Sequence, residues 1–249
     1  MSFAPFDRTV IWLTRRQLFA KQRLIVAIGL ALIPAMIAAI DRFNTADPNY
    51  ASDFLSTVFR DIVIGVLLPI TALVFGTSAF GGEVDDGTLI YLMVKPLPRW
   101  RIAFSKYVVA VISTLLVVVP SMFLAWWIAP AQNPLRLPLS YTVGAVVGAM
   151  LYCAIFLSLG IASRRALPLG LLYVIAFENV LTRNILGAKS LSVREFALSA
   201  TKQVIGAASD FVGYNVSMAT VWTMGSIFLV VALGISIVRL RKYEVAERL

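Results

Sequence analysis

Long apolar runs without a single charge are the feature that most limits what this chain can become. Leu24–Ile40 and Ile62–Gly82 are charge-free, Tyr107–Leu135 and Leu137–Ser163 are longer runs of the same kind, and Phe211–Val238 is another. A bilayer-crossing helix needs about 20 mostly apolar residues, far more than a core helix or strand of a soluble domain. A sixth run, Ala166–Thr182, is interrupted by Glu178. The sequence therefore predicts an all-α, polytopic membrane protein with six transmembrane helices, near 24–40, 62–82, 104–128, 141–162, 166–182 and 217–238. They form a single transmembrane domain over 1–249, without internal repeats or a linker to a second domain.

Composition excludes most chemistry. Apolar residues make up 59% of the 249 residues and charged ones 14%, against about 45–50% and about 25% in an ordinary soluble domain. There is no histidine, which removes the usual general base, the commonest metal ligand and any Ser-His or Cys-His pair. The single cysteine, Cys153, lies inside an apolar run and makes neither a disulfide nor a CxxC site. No metal site and no catalytic residue are expected. Gly76 to Gly81 has the glycine spacing of a P-loop, but Gly82 and Glu83 stand where the lysine and the serine or threonine belong, so no nucleotide site is present.

The net charge of +9 has a topological reading. With six spans both termini share a side, and basic residues concentrate on the cytoplasmic one. Cytoplasmic termini place 15 basic residues inside and seven outside, with Arg164 and Arg165 in a tight inner turn. No Arg/Lys stripe interleaves with stacking aromatics, so nucleic acid is not an expected partner while membrane lipids are. The expected location is the cell inner (cytoplasmic) membrane. Residues 1–23 mix Trp12, Leu13, Leu18 and Phe19 with basic residues, as an amphipathic N-terminal helix along the membrane surface would. Residues 183–216, with Leu191, Phe196, Ile205 and Phe211 among polar residues, read as an external helical segment before the last span.

The cytoplasmic loop 83–101 is the most informative part of the chain. Asp85, Asp86 or Thr88 suits a helix N-terminus, while Pro96 and Pro98 stop the helix after about two turns. Leu89, Leu92 and Met93 share one face at i, i+3, i+4 spacing, and so short a helix must pack on something. Glu83 closes the uncharged second run, which puts its carboxylate at the inner boundary near Arg99, Arg101 or Lys106.

Glu83, Gly87, Thr88, Leu89, Leu92, Pro96, Arg99 and Lys106 together resemble the signature of ABC type 2 permeases, the membrane subunits of one class of ATP-binding-cassette transporter. In that pattern a span ends in glutamate, Gly-Thr-Leu and a Leu-rich turn follow, then a proline, an arginine and a lysine beginning the next span. The motif covers about 25 residues, and the six spans, amphipathic N-terminus and external helix also resemble the family. The resemblance implies an exporter permease subunit that forms the substrate pathway with a second permease subunit, as a homodimer or heterodimer. It further implies that Glu83, Asp86, Gly87, Thr88, Leu89, Leu92, Met93, Pro96, Arg99 and Lys106 couple the chain to a cytoplasmic ABC ATPase dimer. ATP and Mg would then be bound by that partner, and no cofactor by this chain. The alternative reading is a self-contained channel or secondary transporter, whose expected mark is several charged groups along a midplane path.

Glu178 is the acidic residue well inside an apolar span, where a charge is costly enough to need a reason. Two readings stay open at this level: a structural pair with Arg183 or another external base, or a position facing the pathway. Gly144 and Gly148 form a GxxxG suited to close helix packing, within one subunit or between two. Trp126 and Trp127 read as interfacial anchors.

Overall fold

The computed structural model describes residues 14, 21–44, 48–85, 98–129, 135–163, 165–181, 192–205 and 218–246. Among them every element is helical, and five helices are long and apolar enough to cross a membrane. The chain is a multi-pass membrane protein.

Helix α1 is Lys21–Asn44. Helix α2 runs without a break through Pro48–Thr57, a π-helical stretch Val58–Leu67, and Leu68–Asp85. Helices α3, Arg99–Ile128, and α4, Arg136–Ala162, follow. Helix α5 is Ala166–Tyr173, continued by a second π-helical stretch, Val174–Leu181. Helix α6 is Val193–Ile205 and α7 is Met218–Ala246. The five spanning windows are Ile25–Arg42, Asp53–Glu83, Arg99–Ile128, Arg136–Ala162 and Ala219–Leu240, whereas the apolar part of α5, Ala166–Glu178, is shorter.

The second helix differs most from the sequence reading. Its expected span begins at Ile62, after the charged pair Arg60-Asp61, yet the helix starts at Pro48 and carries both charges on its shaft. The two side chains pair with each other, Arg60 Nη2 donating to Asp61 Oδ2 at 2.9 Å, and paired charges near a span's end are tolerable where isolated ones are not. The π-helical stretch ends two residues before Pro69. Proline lacks the N–H that α-helical bonding to residue 65 needs, and its ring crowds that carbonyl. The preceding turns open instead, as in the Leu68 N–H bond to Val63 O.

Helix α4 lies at the centre, in contact with α2, α3, α5, α6 and α7, while α1 packs on α3. Small residues let these backbones approach. A Cβ on Gly160 would stand 2.7 Å from the carbonyl oxygen of Thr77 in α2, and one on Gly144 would stand 2.5 Å from the Ala197 carbonyl oxygen in α6. The GxxxG pair is thus consumed inside the subunit, since Gly148 faces Leu68 and Ala197. Tyr141, fully buried, meets the Phe59 ring edge-on at 5.4 Å and bonds to Ser56. Helices α1 and α7 are peripheral: 28% and 22% of their spanning windows are buried, against 72% in α2. Their exposed Ile25, Met36, Trp222 and Val230 suit lipid contact. Of the tryptophans at the end of α3, Trp127 is 80% exposed and Trp126 packs partly against the core.

Candidate functional site

Helix α2 runs on to Asp85 and α3 begins at Arg99, so the ends of the 83–101 loop belong to the two flanking helices. Pro98 is in extended conformation and serves as N-cap of α3, a place where its missing N–H costs nothing. Between these helix ends, Asp86, Gly87, Thr88, Leu89, Leu92, Met93 and Pro96 lie outside the described residues.

The two helix ends are joined by a buried ion pair. Glu83 Oε2 is 2.6 Å from Lys106 Nζ, and the two side chains are 6% and 1% exposed. Of the three bases within reach by sequence, Lys106 is the one that makes this contact. Its ammonium also donates to the Ala79 carbonyl oxygen and sits 4.5 Å from the Phe80 ring centroid. All of its partners are on the last turns of α2, so the lysine pins α3 to α2 immediately before the loop leaves. Arg99 is half-buried in the first turn of α3, and the Arg101 guanidinium lies over the Trp100 ring at 5.4 Å. Removing one partner of a buried ion pair typically costs about 3–5 kcal/mol, because the other charge is left uncompensated. The pair therefore holds the end of α2 against the start of α3.

Glu178, buried on the second π-helical stretch, accepts a hydrogen bond from Ser192 Oγ at 2.6 Å and another from the Val193 backbone N–H at 3.1 Å. Arg183, one of the external bases offered for it by the sequence reading, lies outside the described residues. Sequence reasoning missed a second carboxylate at the same place. Asp61 Oδ1 accepts from Arg194 Nη2 at 2.6 Å, while Arg60 holds the other side of the carboxylate. The available signal was Ser192-x-x-Glu195, a capping-box spacing that marks a helix start. The Glu195 N–H does donate to Ser192 Oγ, at 3.3 Å.

Gly76 to Gly81, with its P-loop spacing, is part of α2 itself, where no phosphate-cradling loop exists. A family model described as ABC-2 family transporter protein matches residues 18–186, more than half of the chain and inclusive of both helix ends joined by the Glu83–Lys106 pair. No curated protein matches the sequence.

Proposed function

The chain belongs to the ABC-2 transporter family, and from that premise we propose that it is the permease subunit of an exporter, driven by a separate ATPase dimer that docks at the 83–101 loop. The observation that carries this reading is the buried Glu83–Lys106 pair, which ties together the two spans from which that loop emerges. A force applied to the loop would reach both helices at once. Two such subunits form the pathway, and ATP and Mg reside on the partner. Six crossings with cytoplasmic termini in the inner membrane complete the arrangement, with residues 1–23 along the surface. Helix α5 contributes the remaining crossing. Buried Glu83 and Glu178 are each taken up by contacts within the chain, Glu83 by Lys106 and Glu178 by Ser192 and the Val193 N–H, which favours this reading over a self-contained channel or secondary transporter.

Leu89 and Leu92 are assigned the docking face. Leu92→Asp should abolish co-purification of the ATPase in mild detergent and abolish transport in proteoliposomes, while the permease still accumulates in the membrane. An unpaired carboxylate buried in a docking groove costs several kcal/mol, enough to dissolve a micromolar contact. Normal recovery of the ATPase with Leu92→Asp, and transport to match, would remove the loop from its coupling role.

A further inference from the structure

Helix α6 lies beside the N-terminal half of α4. Arg136 Nη2 donates to the Val204 carbonyl oxygen at 3.1 Å near one end of α6, and Ala197 and Thr201 face Gly144 farther along. At its other end, Val193 and Ser192 are held by Glu178, which also lies within interaction range of Tyr152 in α4. Tyr152 is about 24 Å along α4 from Arg136 at about 1.5 Å per residue. The N-terminus of α6 therefore sits well inside the spanning bundle, not at its edge.

Such a position creates a problem that the structure answers. The first N–H groups of any helix have no partner within the helix, and inside a membrane each unsatisfied one costs several kcal/mol. Here Val193 N–H goes to Glu178 and Glu195 N–H to Ser192 Oγ, whose own proton goes to Glu178. Next to them Arg194, 13% exposed, reaches Asp61. Two carboxylates from two different helices thus grip three consecutive residues, Ser192, Val193 and Arg194. Each carboxylate stands on a π-helical stretch, Asp61 within Val58–Leu67 and Glu178 within Val174–Leu181. Those two stretches are the π-helical segments among the described residues. Wide turns of this kind are uncommon and recur at functional positions. A one-residue change of register there would swing the carboxylate about 100° around its helix.

We propose that Asp61 and Glu178 are positioning residues that hold the inner end of α6 within the membrane domain, each presented by a π-helical turn. The inference goes beyond the transport reading and does not depend on where the ATPase docks.

The test uses the full chain with its ATPase in membranes, carrying Cys153→Ala and the near-isosteric reporter Ser199→Cys on the buried part of α6. A membrane-impermeant maleimide applied to both faces should label the reporter slowly. Labelling should accelerate at least tenfold with Glu178→Ala, with Asp61→Ala and, equally, with Arg194→Ala. Glu178→Gln, which still accepts the Val193 N–H, and Asp61→Glu should restore slow labelling, a rescue that mere loss of volume would not show. Unchanged rates in the alanine variants, or rates in Glu178→Gln and Asp61→Glu as fast as those of the alanines, would overturn the proposal. If an alanine variant does not accumulate, Arg194→Ala and the two conservative variants decide by the same criteria. ATPase co-purification should stay normal throughout, so a failure here is separable from a failure of the docking reading.

Discussion

Helix α2 carries an ion pair toward each end, and the two are built differently. At Glu83–Lys106 both side chains are almost fully enclosed, at 6% and 1% exposure, and the pair joins consecutive spans. At Asp61–Arg194 the carboxylate is 40% exposed and shared with Arg60, and the pair joins helices far apart in the chain. Enclosure makes the first contact expensive to break, whereas the second, with its guanidinium 13% and its carboxylate 40% exposed, falls between such a buried pair and an exposed one worth about 0–1 kcal/mol. The lesson is that an acid–base pair makes a rigid joint at one end and a looser tether at the other, according to how much of the carboxylate is covered.

The sharpest way to break that comparison is at Lys106. Lys106→Met leaves the Glu83 carboxylate buried without its counter-charge, and the variant should lose about 3–5 kcal/mol, read as a large fall in the complex recovered from membranes and in its melting temperature. Glu83→Gln should be milder, since the ammonium keeps the Ala79 carbonyl and the Phe80 ring. We expect Glu83→Gln to assemble with its ATPase but to show weak substrate-stimulated ATP hydrolysis and slow transport in proteoliposomes. The double variant should be more stable than Lys106→Met alone. Equal damage from the two single variants would mean that the lysine's other contacts contribute nothing, and near-normal coupling in Glu83→Gln would make the pair a passive boundary charge.

The rigid joint was legible in the sequence and the tether was not, for physical reasons. Glu83 and Lys106 bracket uncharged runs, so their depth follows from where the runs end, and only a few bases stood within reach. The helix reaches past the expected start at Ile62 because Arg60 and Asp61, which look costly one at a time, bond to each other on its shaft. Helix α6 reads from its sequence as an interfacial segment, since VREFALSATKQVI is too polar to look inserted. What admits it is small residues on both sides, Ala197 and Thr201 against Gly144 and Gly148. The GxxxG was visible, but its partner was not, because pairing between distant helices leaves no periodicity to find.

That packing gives a test of intermediate size. Gly144→Ala puts a Cβ 2.1 Å from Thr201 Oγ1 and 2.5 Å from the Ala197 carbonyl oxygen, so backbone must move. Overpacking of this kind costs about 1–3 kcal/mol. Its companion is Gly81→Ala, on the same side of the molecule as the rigid joint, where nothing lies within 4 Å of the added methyl. That change should be neutral or slightly stabilising, by up to about 1 kcal/mol of helix propensity. Thermal unfolding of the two purified variants measures the difference, and equal melting temperatures would mean that α6 yields without cost.

The smallest expected effect distinguishes a tether from a charge cluster. Arg60 bonds Asp61 through two nitrogens, at 2.9 and 3.3 Å, yet the two residues are neighbours on one helix, so their contact joins no separate elements. Arg194 makes one 2.6 Å bond to the same carboxylate from a different helix. If the connection matters, Arg60→Gln should change transport and the exposure of α6 less than twofold, in keeping with an exposed pair worth about 0–1 kcal/mol. Arg194→Ala should have the larger effect although it removes fewer hydrogen bonds to Asp61. Measuring maleimide reaction at Ser199→Cys in both variants, at low and high salt, reads the distinction directly. An Arg60→Gln rate as fast as that of Arg194→Ala would show that net charge around Asp61, and not the link from α2 to α6, holds the inserted helix.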